Sequence, residues 1–401
     1  MKNKKSLSLL LALFLMLLPL SACDKKPGGS EGGEEEIESM VDVKYRGWGF
    51  VTVDDSYLFD SIHHISTDYN PDNSGNPFGK LNLKTGISSV ICRDETCTHT
   101  EQEGCKAGPA GTVYFAWNRK LFYSTGIEEW SADHTELLGT YAATASYDVE
   151  TGEYRTYGKH LVSSLSFTDY PTRDGDKMYT YGRFPIVEKP ETEEDYRRAI
   201  YETDLNTGKE TLLFTEDNNH SISTAGTFLF VDNGWAYFFG SQEGIFIKCS
   251  LDGKETAVLM KRNAASVIPD GFGISFYDGW IYFRARSGSD DSVRCLARMN
   301  AETGDVEYLS GEDTEWFIIT NKHIYYQLGV PKETKAFPIR CRNLDGSGER
   351  DICIYEEGHS ITDALYGNGA LYFWHLSPVY RMDVTTGKYE RVTGNGWGKS
   401  E

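Results

Sequence analysis

The sequence predicts an all-β protein built as a single β-propeller, and three observations lead there. Tyr, Phe and Trp make up 13% of the 401 residues while long amphipathic helical patterns are missing, which is the composition of a chain of strands. A turn followed by a strand rich in aromatics recurs along the chain, and so does a strand that closes on a glycine turn. The two signals alternate without a miss, as repeats of one small sheet would.

The clearest copy runs from Gly273 to Ser310, GISFYDGWIYFRARSGSDDSVRCLARMNAETGDVEYLS. Four short apolar and aromatic runs are separated by Asp278-Gly279, by a polar loop at Ser287 to Ser292 and by Glu302 to Asp305, so the unit predicts a four-stranded antiparallel meander. The first signal recurs at Asp55–Phe59, Asn118–Tyr123, Gly175–Tyr179, Asn233–Phe238, Asp278–Phe283, Asn321–Tyr326 and Asn368–Phe373. The second recurs at Leu83–Gly86, Tyr147–Gly152, Asp204–Gly208, Leu251–Gly253, Met299–Gly304, Leu344–Gly346 and Met382–Gly387. The first strand after each turn is apolar on both faces, which suits a strand held between neighbouring sheets. Repeats of about 40 to 65 residues with this content predict seven four-stranded blades, with six or eight as the alternative counts. The Gly-His and Trp-Asp pairing of WD40 repeats and the sialidase Asp-box are absent.

Upstream of the repeats, Lys2, Lys4 and Lys5 precede an apolar run from Leu7 to Leu20. That run is too short for a stable membrane span and suits the core of a signal peptide over residues 1–22. Leu20-Ser21-Ala22-Cys23 resembles the bacterial lipobox, and the resemblance implies that Cys23 is lipidated and becomes the N-terminus; the alternative is an ordinary signal peptide with an incidental cysteine. Acyl chains on one cysteine would hold the protein on the extracytoplasmic face of the cell membrane, since each buried CH₂ adds about 0.8 kcal/mol. Asp24 to Glu38, DKKPGGSEGGEEEIE, has too few apolar residues to bury a core, so residues 23–40 are expected to be the lipidated cysteine and a disordered acidic tether. Residues 41–398 form the propeller domain, expected to be monomeric.

Removing residues 1–22 takes away three lysines and no acids, moving the formal charge from −20 to −23. Such an excess argues against nucleic acid and against electrostatic binding to anionic head groups. It also keeps an exported protein soluble.

Phe337 to Cys353, FPIRCRNLDGSGERDIC, with the preceding His323 to Tyr326, HIYY, resembles a repeat of the low-density-lipoprotein-receptor YWTD propeller class. More broadly, the chain is similar to propeller lipoproteins of Gram-positive, clostridia-like bacteria. The resemblance implies architecture over roughly residues 41–398. An intact Tyr-Trp-Thr-Asp is missing and there are seven repeats where the receptor class has six, so ligand identity does not transfer.

In a four-stranded blade the A–B and C–D turns share one end, and the B–C loops and blade-to-blade crossings share the other. Here the second set is long at His63–Phe78, Gly126–Tyr141, Phe184–Tyr196 and the crossing Arg93–Gly111. Long loops on a rigid scaffold are where binding residues concentrate. Those loops carry His63, His64, Asp68, Tyr69, Trp130, Asp133 and His134, aromatic platforms and hydrogen-bonding groups suited to a protein, peptide or glycan ligand. Asp68-x-Asn70-x-Asp72 has the start of a calcium loop, but Asn73 stands where a glycine is needed and the closing glutamate is missing.

Cys92, Cys97, His99 and Cys105 supply the ligand set of a structural zinc site within 14 residues; the rival is a disulfide with one thiol left over. Cys341 and Cys353 are placed symmetrically about Ser347, which predicts a cross-strand disulfide or two buried free thiols, and Cys249 and Cys295 read as small core residues.

No nucleophile elbow on a strand-to-helix turn and no His-Glu-x-x-His helix point to a hydrolase. The favoured expectation is a binding or scaffolding lipoprotein. The alternatives are a propeller enzyme acting on extracellular glycans and an accessory subunit of a transporter or sensor.

Overall fold

The computed structural model describes residues 38–40 and most of 51–392; residues 1–37, 41–50, 54–56, 62–77, 95–96, 98–104, 106–112, 134, 162–170, 186, 188–194, 216–226, 241–243, 262–266, 270–272, 288–289, 330–335, 357–359, 362, 375–378 and 393–401 lie outside the described set. Among the described residues there is no α-helix, and every strand pairing is antiparallel between neighbours in sequence or nearly so.

The first sheet is β1 (Val51–Val53), β2 (Tyr57–Ser61), β3 (Phe78–Asn82) and β4 (Ser88–Val90). The second is β5 (Val113–Trp117), β6 (Lys120–Trp130), β7 (Leu137–Asp148) and β8 (Tyr154–Leu161). The third is β9 (Thr172–Asp174), β10 (Lys177–Pro185), β11 (Tyr196–Asp204) and β12 (Glu210–Thr215), and the fourth β13 (Thr227–Asp232), β14 (Trp235–Phe239), β15 (Gly244–Ser250) and β16 (Thr256–Lys261). The fifth comprises β17 (Val267–Pro269), β18 (Ser275–Tyr277), β19 (Trp280–Ser287), β20 (Asp290–Asn300) and β21 (Val306–Tyr308). The sixth is β22 (Thr314–Ile319), β23 (His323–Leu328), β24 (Phe337–Asn343) and β25 (Arg350–Tyr355), and the seventh β26 (Asp363–Gly367), β27 (Ala370–Trp374), β28 (Val379–Asp383) and β29 (Tyr389–Arg391).

Six sheets are therefore four-stranded, where the repeats predicted seven such sheets; the fifth has five strands. Its first strand is split, with β17 and β18 both lying along β19, Val267 opposite Ser287 and Tyr277 opposite Trp280. Pro269 ends the first piece and Gly273, at φ 72°, precedes the second. Proline removes a ladder donor and a positive φ breaks the pleat, which separates the two pieces.

The core is a series of interfaces between sheets. Seven clusters of buried side chains each join one sheet to the next, among them Phe230, Tyr237, Phe276 and Phe283 between the fourth and fifth sheets. The cluster of Leu81, Leu83, Leu365 and Tyr372 packs the seventh sheet on the first and closes the ring by side chains. This is the β-propeller arrangement, and it explains the burial pattern. Central strands such as β23 are buried almost throughout, while the outer β12 and β21 are largely exposed.

Turn chemistry follows the repeat. Asn233-Gly234, Asp278-Gly279 and Asn368-Gly369 all have positive φ at both positions, the geometry of a type I′ hairpin. At the C–D turns an Asn or Asp side chain accepts the next N–H groups: Asp148 from Glu150 and Thr151, Asp204 from Asn206 and Thr207, Asn300 from Glu302 and Thr303, Asp383 from Thr385 and Thr386. The glycine then reverses the chain, and it also sits against the preceding sheet. A Cβ on Gly304 would meet the Leu259 carbonyl oxygen at 2.5 Å.

The same turn receives a donor from the preceding sheet in six places. Tyr372 reaches the Leu83 carbonyl, Arg93 that of Val149, Tyr157 that of Leu205, Tyr237 that of Ala301, Arg298 that of Leu344 and Arg350 that of Val384. Ring closure between the last sheet and the first thus repeats the contact used elsewhere in the ring.

Two local expectations change. Gly126–Tyr141 was predicted to be a long loop, yet β6 continues to Trp130 and β7 begins at Leu137, leaving a connection of six residues. Cys341 and Cys353 do not face each other: the hairpin turns between Asn343 and Ser347, about Asp345 and not Ser347, and with a further one-residue shift between Ile339 and Arg340 Cys341 lies opposite Arg350 and Cys353 opposite Ile339. Both thiols are free, and the Cys353 sulfur lies 3.0 Å from that of Met382. Cys249 and Cys295 are buried core residues.

Candidate functional site

One end of the ring is occupied by its own turns. The C–D turn N–H groups of Val149, Leu205, Leu251 and Ala301 donate to the A–B turn carbonyls of Arg119, Asp176, Gly234 and Gly279 at 2.9–3.1 Å. The other end carries the B–C connections, and the β6–β7 hairpin is its best-described part.

β6 has 11 residues and β14, its counterpart in the fourth sheet, has five. At ~3.4 Å per residue the difference is about 20 Å of strand. At the tip Trp130 and Leu137 are register partners and are 43% and 44% exposed. A cross-strand pair of large apolar side chains left in solvent is an unusual use of surface. The described residues of the connecting turn are hydrogen-bonded to one another: the Ser131 hydroxyl accepts the Glu136 N–H at 2.9 Å and donates to Asp133 Oδ1 at 2.6 Å, and the Thr135 hydroxyl donates to the same oxygen at 2.8 Å. These donors, Ser131 first, hold the Asp133 carboxyl down at about 2. Asp133 therefore shapes the tip, and Trp130 with Leu137 is the exposed apolar pair beside it.

Cys92, Cys97 and Cys105 are brought together. Their sulfur atoms lie within 4.8 Å of one another and none is in a disulfide. Cys105 is buried beside Tyr123 and Tyr147, with Cys92 and Cys97 packed against the same cluster. Burial pushes the Cys92 thiol up. The Cys97 N–H donates to the Asp94 carbonyl at 3.2 Å, and the Arg93 N–H donates to the Tyr147 hydroxyl at 3.2 Å. Three soft sulfurs on such a frame can bind a thiophilic metal. His99, along with Cys23, His63, His64, Asp68, Tyr69 and His134, lies outside the described residues.

A third feature was missed by reading the sequence. Glu38 Oε1 accepts from the Thr320 and Tyr325 hydroxyls and lies 2.9 Å from His323 Nδ1. Ser39 N–H donates to the Asn321 side chain, and Met40 bridges to Thr320. The segment entering the propeller is thus pinned on the A–B turn of the sixth sheet. The available signal was the turn itself: Asn321-Lys322 lacks the glycine of Asn233-Gly234, Asp278-Gly279 and Asn368-Gly369 and has no positive φ. Burial, reinforced by Glu38, pushes the Tyr325 hydroxyl far up.

No protein-family model matches the chain. No curated protein matches it in sequence. Among solved structures it is similar to a prolyl endopeptidase, with a TM-score of 0.50 and 12% identity over 87% of this chain and 50% of that one. It is also similar to a chain of a nidogen/laminin complex, with a TM-score of 0.36 and 12% identity over 66% of this chain and 91% of that one. A putative TolB from Agrobacterium tumefaciens matches with a TM-score of 0.33 and 11% identity, over 69% of this chain and 88% of that one. The chain spans about half the length of the prolyl endopeptidase. At 12% identity that likeness is one of fold. Together with the sheet order and the seven inter-sheet clusters, the chain is an all-β β-propeller.

Proposed function

We propose that the chain is a lipid-anchored, extracytoplasmic bacterial propeller that holds a protein, peptide or glycan ligand at its loop end. The carrying observation is the exposed Trp130–Leu137 pair on the ordered tip of the β6–β7 hairpin. Preordering the tip removes most of the entropy cost that a flexible loop would incur on binding. Lipidation at Cys23 follows from the lipobox resemblance, and the acidic tether separates that anchor from the ring. Counting the split-strand fifth sheet as a blade gives seven blades, in a monomer of the clostridia-like lipoprotein kind.

Two experiments test this reading. Palmitate labelling of the expressed chain should be lost in Cys23→Ala. A glycan and peptide array probed with the purified chain should show a ligand whose binding drops by about tenfold or more in Trp130→Ala. Binding that survives both Trp130→Ala and His63→Ala removes this end of the ring as the site, and release of a cleaved product from the array replaces binding with catalysis.

A further inference from the structure

We propose that Cys92, Cys97 and Cys105 hold one zinc ion through three thiolates, and that the ion fixes the crossing from the first sheet to the second. Four ligands at 2.3 Å around a tetrahedral zinc place sulfur atoms about 3.8 Å apart. The three sulfurs already lie within 4.8 Å of one another, so small side-chain movements close the site. A disulfide instead needs one pair at about 2.0 Å and strands the third thiol in the same pocket.

The chain's own hydrogen bonds frame the site. The Arg93 guanidinium donates to the Val149 carbonyl, its N–H to the Tyr147 hydroxyl, and the Cys97 N–H to Asp94, which together fix the arc from Cys92 to Cys97 on the second sheet. Cys105 approaches from the far end of the same crossing and is buried against Tyr123 and Tyr147. Among the described residues between β4 and β5, Ile91 and the three cysteines contact this core. A metal cross-link there adds to the apolar contact between the first and second sheets and ties the crossing to it.

Three soft sulfur donors select zinc, copper(I) or an iron–sulfur cluster over hard cations, and zinc binds without a redox partner. Binding takes three thiol protons to solvent and leaves a site of three negative charges facing two positive ones. The remaining described cysteines, Cys249, Cys295, Cys341 and Cys353, sit in strands of the fourth, fifth and sixth sheets and serve as controls.

The test is elemental analysis of the purified full chain after a chelator wash, followed by cobalt(II) substitution under reducing conditions. The expected result is about one zinc per chain, an intense thiolate-to-cobalt charge-transfer band, and loss of both in Cys105→Ser but not in Cys295→Ser. Copper or iron in place of zinc, an intact metal content in Cys105→Ser, or a native mass two hydrogens light with the bond mapped to two of the three cysteines overturns the proposal. Should Cys105→Ser fail to fold, the wild-type metal content and cobalt spectrum decide the question alone.

Discussion

The Tyr372 hydroxyl donates to the Leu83 carbonyl at 2.9 Å, joining two residues 289 positions apart and tying the last sheet to the first. Tyr372 is fully buried, so Tyr372→Phe leaves that carbonyl without its donor at the closure of the ring. The expected loss is about 1–2 kcal/mol, read from urea midpoints at unchanged m-value. The equivalent Tyr237→Phe should lose less, because Lys248 also donates to the Ala301 carbonyl. Equal losses would mean that the closing contact carries no special weight.

Gly279 and Gly304 separate two demands on a turn. Both have positive φ, 76° and 79°, but a Cβ on Gly279 meets nothing within 4 Å while one on Gly304 runs into the Leu259 backbone. Gly279→Ala should cost about 1–2 kcal/mol from backbone conformation alone. Gly304→Ala should cost about 3 kcal/mol or more, since it adds a clash that backbone cannot relieve cheaply. Thermal unfolding of the two variants checks the ranking.

The turns were legible in the sequence because their chemistry is local: an Asn or Asp, two or three residues, and a glycine specify each one without reference to the rest of the chain. The hairpin tip was not. Gly126 and the adjacent acids Glu128 and Glu129 break the apolar alternation that marks a half-buried strand, which hid the continuation of β6 to Trp130. Cys353 was misplaced because the hairpin turns about Asp345, two residues before the expected Ser347, and shifts once more at Ile339. Glu38 was out of reach altogether, since its partners lie 282 to 287 residues away.

That long-range contact makes its own prediction. Glu38 Oε1 is shared by Thr320, His323 and Tyr325, and the Tyr325 ring is fully buried. Glu38→Ala should lower stability by about 1–3 kcal/mol and open the chain to protease just before the first strand. Glu38→Gln keeps an acceptor oxygen in place and should retain most of the wild-type resistance. If both variants resist limited proteolysis as the wild type does, the contact does not hold the entering segment.

The aspartates of the C–D turns predict the acid limb of stability. The Thr207 N–H and hydroxyl hold the Asp204 carboxyl below the ordinary range, and those of Thr386 do the same for Asp383. At Asp148 burial pushes upward, and the Thr151 and Glu150 N–H groups outweigh it, for a net lowering. A carboxyl held low in the fold contributes stability that is fully present above its unfolded value, near pH 4, and is lost as pH falls through the folded value. The wild-type melting temperature should therefore fall between about pH 4 and pH 2. Asn82 and Asn300 make the same turn with an amide oxygen, which shows that the cap needs an acceptor and not a charge. The double variant Asp204→Asn, Asp383→Asn should keep its turns and flatten that fall, while Asp204→Ala, Asp383→Ala should melt lower at every pH. Parallel pH profiles for the wild type and the double asparagine variant would assign the acid limb to other carboxylates.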